Sequence, residues 1–388
     1  MSLMTNRAVV MAAVETTYNT DPGAGYTGIL CNKGLSVKAN ADKIERNIVR
    51  QTFSPMGSVI GAKSYEISLE CELKGGGLNA GTPVAPEIDT LLQCCALEQT
   101  ASAIVSVSAS TGTWQIGEII QKSGTPNTDI GVVQDYVITA GVGTIYIRNY
   151  TGSLVSADSL VGKTSAATAT VSAAPTKALC YRPISDPLAM KSATVHFYRD
   201  GIRHVMTGAR GDVEFTFNVG KYPLAKFTIQ GSYNDPADIA MPSPTFQNIV
   251  PAVCVNAGLH IGSVDMTKTC ATAISLKMAN DVKARECINA TEGRLGFDIT
   301  GRKPTGSVDP EATALADFNP WAAWKASTPA AIYATIGSVA GNQIRISVPN
   351  AVYDDVSYGD RNGLVTYSLP FTCKGGAYGD DEVNMFVF

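Results

Sequence analysis

Segment after segment of this chain alternates apolar and polar residues with a period of two, and that alternation limits it to strands with one buried and one wet face. In Tyr65–Leu73, the side chains of Tyr65, Ile67, Leu69, Cys71 and Leu73 fall on one side. Glu66, Ser68, Glu70 and Glu72 fall on the other. Val213–Val219 and Tyr367–Cys373 repeat the pattern. Pro370 inside the last run predicts an edge or a kink, because proline brings no N–H to a ladder. Thr194–His204 reads as a hairpin turning at Asp200-Gly201. Ala8–Val14 reads as a first strand and not as a signal peptide, since the apolar run stops at Glu15 with no clean cleavage site after it. Helical spacing is confined to Pro86–Leu97 and to Pro310–Phe318 followed by Trp321–Lys325. The expected fold class is therefore mainly β, with one short helix in each half of the chain.

A displacement of 239 residues lays Leu35–Asp42 over Ile274–Asp281. Across 35–61 it matches Ser36 with Ser275, Lys38 with Lys277, Asp42 with Asp281, Arg46 with Arg285, Thr52 with Thr291, Gly57 with Gly296 and Ile60 with Ile299. Chance would supply about two such identities. Phe227–Gly231 echoes Phe371–Gly375 in the same order, at a different spacing. Between the halves' shared features lies a segment of different composition, 101–177, rich in Ser, Thr, Ala, Gly and Val. It reads as short strands at Trp114–Ile120, Ile130–Val133, Gly143–Arg148 and Ala167–Val171. The organisation expected is a first repeat over 1–100 and 178–240, an inserted small β domain over 101–177, and a second repeat over 241–388.

With 388 residues, 45% of them hydrophobic, the chain can bury a substantial core. Only 16% are charged. Such a surface fits either burial against other copies or a Ser/Thr/Gly-rich sheet exterior. A net charge of -4 leaves no basic footprint for gripping nucleic acid, and no apolar run approaches the roughly 18 residues that span a bilayer. The cysteines (Cys31, Cys71, Cys94, Cys95, Cys180, Cys254, Cys270, Cys287 and Cys373) are odd in number and lack a Cys-x-x-Cys pair. They read as buried thiols, with later disulfides between subunits as the alternative.

Catalytic motifs are wanting. Ala157–Thr164 satisfies a loose phosphate-loop pattern, but the residues after it are β-like where an anion-binding helix would be needed. The glycines after Lys74 read as a hairpin tip. His196, His204 and His260 have no second ligand at metal spacing, and no nucleophile elbow occurs. No cofactor, metal or catalytic residue is expected. Trp114 and Tyr146, if exposed, hint at glycan binding by the insert.

Particular stretches, in their order, resemble the tail tube (major tail) proteins of tailed bacteriophages. These are Glu15–Pro22, Arg46–Arg50 running into Gly61–Glu70, Thr207–Phe215 with Lys221–Gly231, and Ile299–Gly306. The resemblance implies a β-sandwich flanked by a helix, with a long hairpin that joins a barrel shared by all subunits of a ring. Most such rings are hexameric; a duplicated unit would suit trimers with pseudo-sixfold symmetry. It further implies a virion protein made in the host cytoplasm and partnered by itself and by terminator, tape-measure and distal tail proteins. Double-stranded DNA would pass through without specific binding, and no membrane is involved. The rival is another virion component, such as a tail terminator, baseplate hub or capsid decoration, with a glycan-binding insert. On the tube reading Glu66, Ser68, Glu70 and Glu72 are candidates to line the bore. Arg210 and Gly211, and Lys74, Gly75 and Gly76, are candidates for ring or stacking loops.

Overall fold

Among the described residues the alternating segments become strands of a predominantly antiparallel β protein with two short helices. The computed structural model describes residue 4 and residues 7–262, 264–266 and 269–388. Eight strands matter most, and in chain order they are β1 (Ser36–Ile44), β2 (Val59–Glu72), β3 (Ile202–Asn218), β4 (Leu224–Tyr233), β5 (Ala271–Lys277), β6 (Thr305–Pro310), β7 (Ser357–Arg361) and β8 (Leu364–Cys373). They form one continuous antiparallel sheet in the order β1-β2-β4-β3-β5-β6-β8-β7. One face of this sheet carries Ile67, Leu69, Phe227, Val213, Phe215, Leu276, Leu369 and Phe371, all buried in a common core. Gly306 is required there: a Cβ on it would stand 2.4 Å from the Phe371 ring.

The two halves of this sheet have matching registers. Ser36 faces Ser68 and Val37 faces Ile67 in the first hairpin; Ser275 faces Ser307 and Leu276 faces Gly306 in the second, every partner displaced by 239 residues. The arms beyond slip by one residue at the same place, between Ala41 and Lys43 in one and between Asn280 and Val282 in the other. Ser68 faces Thr228 in β4 as Ser307 faces Pro370 in β8. The strand Ala193–Arg199 on β3 and the strand Ala330–Ile336 on Ile344–Tyr353 also share a slip, after Ala193 and after Ala330. The structural partner of Phe227 is thus Leu369, two residues short of the Phe227/Phe371 match read from sequence, which keeps the same face.

Several expectations need correction. Pro310–Phe318 is not helical: Pro310 ends β6 and Glu311 bridges to Thr366, so the helix begins only at Pro320 and runs to Lys325. Its N-cap Asn319 accepts a hydrogen bond from the Ala322 N–H at 3.0 Å. The other expected helix is shorter than read, Asp89–Cys94, and buries Leu91 and Leu92. Pro370 sits inside the sheet, and the break falls on its neighbour. Tyr353 faces Phe371 and Ser357 faces Ser368, leaving 354–356 opposite the missing N–H while the Asp354 N–H bonds the Pro370 carbonyl at 2.9 Å.

The strands within 101–177 have their own apolar cluster of Val105, Trp114, Ile120, Val133, Ile145 and Leu160. Their stem is longer than 101–177: Leu97–Thr111 pairs with Thr176–Pro183, from Leu97 opposite Pro183 to Ile104 opposite Thr176. The strand Asn384–Val387 fits between this stem and Ile344–Tyr353. Across that seam the Arg345 guanidinium and the Asp135 carboxylate, both buried, pair at 3.2 Å.

Candidate assembly surface

The face of the eight-stranded sheet opposite the core is polar. Glu66, Ser68, Glu70 and Glu72 stand on it as the period-two pattern requires, half-buried and flanked by their cross-strand partners. Glu66 lies between Lys38 and Gln230, and Ser68 between Ser36 and Thr228. Glu70 faces Lys226, Lys226 faces Glu214, and Glu214 faces Lys277, so charges alternate across four successive strands. Asp212 adds an ion pair to Lys277 at 3.8 Å. Directly opposed unlike charges contribute a few tenths to about 1 kcal/mol each. The glutamates are therefore part of a mixed lattice with an acidic bias, and not a bare negative stripe.

This sheet ends in two open edges. Among the described residues β1 pairs only with β2, and β7 only with β8. Apolar side chains are exposed beside both: Ile44, Val59 and Ile60 along the arm of β1 and β2, and Tyr358, Leu364 and Val365 at the other edge. At the tip of the first arm Ile48, Val49 and Phe53 are exposed.

The residues expected in ring or stacking loops are placed otherwise. Arg210 and Gly211 lie within β3, opposite Gln230 and Ile229. Arg210 is buried, pairs with Asp298 and sits over the Tyr18 ring at 4.9 Å. Lys74 is also buried, between Glu87 at 3.6 Å and the Gln247 carbonyl at 3.2 Å. Gly75 and Gly76 are no hairpin tip. A Cβ on either would collide with backbone, with the Gly341 carbonyl at 2.1 Å or the Val84 carbonyl at 2.3 Å.

Sequence reasoning missed how the halves are tied. The second arm, Asn280–Glu286 with Arg294–Arg302, leans on the first half. The Tyr18 hydroxyl donates to the Phe297 carbonyl and accepts from the Phe297 N–H, both at 2.7 Å. Arg294 holds Asp42 with two contacts, at 3.0 and 2.9 Å. Within the first half, the buried Glu15 accepts from the Asn19 and Gly208 N–H groups and from the Ser192 and Thr194 hydroxyls at 2.6–2.8 Å, which fixes the segment that carries Tyr18.

The residues of the motifs considered above have partners within the fold. In the phosphate-loop-like segment the Thr164 and Ser165 N–H groups, at 3.1 and 2.9 Å, already donate to the buried Glu118 carboxylate, which also takes the Ser165 hydroxyl and the Gln115 N–H. An anion would have to displace it. His196 bonds Asp21 at 3.1 Å; burial pushes its pKa below the ordinary value even though Asp21 pulls the other way. Trp114 is buried, its indole N–H on Ser110 Oγ at 3.0 Å, and Tyr146 is buried between Phe386 and Arg345. Both are structural, so the hint of glycan binding falls. Among the described residues no cluster of His, Cys, Asp or Glu could hold a metal ion, and no helix is long and apolar enough to cross a membrane.

Among curated proteins none matches this sequence. The family described as phage tail tube protein matches residues 5–373, nearly the whole length, and with it come the β-rich fold, a structural role and a place in the virion tail. This chain belongs to the phage tail tube protein family.

Proposed function

We propose that this chain self-assembles into stacked rings that form the channel for genome ejection, and that each ring contains three copies arranged as six quasi-equivalent wall units. The observation that carries the reading is the repeated register. Two four-stranded units each consist of a long hairpin followed by two returning strands, and their hairpins share pairings at a displacement of 239 residues and the same one-residue slip in the arm. A duplicated unit halves the copies needed to close a sixfold wall. Terminator, tape-measure and distal tail proteins are its proposed partners in the tail. Image symmetry and native mass spectrometry of the purified chain should give threefold rings of three chains that stack into hollow tubes. True sixfold rings of six chains would overturn the stoichiometry, and rings that never stack would favour a terminator or hub.

On this reading the polar sheet face lines the bore, with Glu66, Ser68, Glu70 and Glu72 on it. Every cation that binds a phosphate retards transit, so a mildly acidic wall suits a conduit that must not hold DNA; three copies at -4 carry -12. Replacing Glu66, Glu70 and Glu72 together by Lys should leave tubes assembled and slow or block ejection. Ejection at the normal rate from fully assembled variant virions would put this face outside the bore.

A further inference from the structure

The joint between the two halves is a strand pairing. β3 of the first half and β5 of the second are hydrogen-bonded with Glu214 opposite Lys277, Phe215 opposite Leu276 and Thr216 opposite Ser275. Both strands have counterparts at the open edges. β5 corresponds to β1, so Lys277, Leu276 and Ser275 correspond to Lys38, Val37 and Ser36. β3 corresponds to β7 through the strands they flank. Thr228 and Pro370 hold equivalent places opposite β2 and β6, so Lys226 corresponds to Ser368. Lys226 faces Glu214 and Ser368 faces Ser357; Glu214, Phe215 and Thr216 therefore correspond to Ser357, Tyr358 and Gly359.

We propose that β7 of one copy pairs antiparallel with β1 of a second copy of this chain, with Ser357 opposite Lys38, Tyr358 opposite Val37 and Gly359 opposite Ser36. The inference rests on the self-assembly reading and adds to it which edges meet and in which register. Two further observations favour it. At the internal joint the apolar pair Phe215 and Leu276 is fully buried, whereas at the edges Tyr358 is 64% exposed and Val37 half-buried. Tyr358 already leans on Tyr367 and Trp321, with ring centroids 5.5 and 5.6 Å away, so a partner strand would complete a cluster that is open on one side. Unpaired edges are templates for another strand. Because β7 and β1 are different surfaces, the contact is heterologous and propagates head to tail until the ring closes.

The partner class is thus a second copy, and cysteine cross-linking reads the register. Ser357→Cys combined with Lys38→Cys, oxidised in assembled rings, should shift the chain to bands of two and three chains on a non-reducing gel. The same-face combination Ser357→Cys with Asn40→Cys, displaced by two residues, should not, because a disulfide requires Cα atoms within roughly 7 Å. Equal or stronger cross-linking by the displaced pair overturns the register, and rings that cross-link with neither pair overturn the choice of edges. Hydrogen exchange on the unmodified protein guards against variants that fail to fold. Amides of 36–38 and 357–359 should become protected when rings form, and rings without that protection also overturn the proposal. An unmodified chain that stays monomeric at every concentration overturns the self-assembly reading itself, a result distinct from the others.

Discussion

Single side chains in this protein mostly close small accounts of backbone polarity, and their removal should be felt locally. Glu118 is the clearest case, since its carboxylate satisfies the N–H groups of Gln115, Thr164 and Ser165. Glu118→Ala leaves those donors facing a buried void. Urea unfolding should show a loss of about 1–3 kcal/mol, and an unchanged midpoint would mean that water replaces the carboxylate. His196 and His204 offer a test by pH. Burial lowers both pKa values below 6.5, with Asp21 opposing the shift at His196 and Arg199 reinforcing it at His204. The unfolded chain then binds protons that the folded chain refuses, so stability is intact above 6.5 and declines as pH falls below it. Unfolding measured from pH 7.5 down to pH 5 should show that decline. It should be shallower in His196→Gln, whose amide still donates to Asp21 without titrating; an unchanged slope would remove His196 from the account.

At the scale of elements, the second arm holds its position through a few polar contacts. Arg294 reaches Asp42 with two hydrogen bonds and Ser64 at 2.9 Å. Asp42 is half exposed, which screens the charge, so Arg294→Ala should cost only about 1 kcal/mol of stability. It should still raise hydrogen exchange in 294–302, and exchange that stays slow would show that Tyr18 suffices to hold the arm. The sequence made the strands of this arm and sheet readable because burial on one face enforces period two, as in Tyr65–Leu73. The register echo was equally readable, since Ser36, Lys38 and Asp42 recur where the pairing recurs. Pro310–Phe318 misled because its helical spacing of apolar residues competes with a bridge from Glu311 to Thr366, a partner far away in sequence. Arg210 and Lys74 misled for the same kind of reason. A lone cation in sequence looks solvated until its partner, Asp298 or Glu87, is brought to it by the fold.

For the whole molecule, the seam between 101–177 and the second half decides how separable that segment is. If 101–177 were mere decoration, deleting it and joining the flanks would leave the rest undisturbed. The seam argues against so simple a result. Arg345 would lose Asp135 and the ring of Tyr146, keeping only that of Tyr333, while Asn384 would lose its buried hydrogen bond from Gln134 at 2.6 Å. Removing one partner of a buried ion pair costs about 3–5 kcal/mol, because the remaining charge stays desolvated. The deletion alone should therefore unfold at markedly lower urea and assemble poorly. Deletion combined with Arg345→Leu removes the stranded charge and should recover most of the loss, since apolar replacements of buried pairs are often neutral. Thermal unfolding and microscopy of the two variants side by side make the test. Recovery of both stability and tubes in the combined variant would show that the insert contributes through this seam and is dispensable for the wall. Recovery of stability without tubes would place the insert in the assembly contacts. A deletion variant as stable as the full chain would show that water enters the opened seam and solvates Arg345.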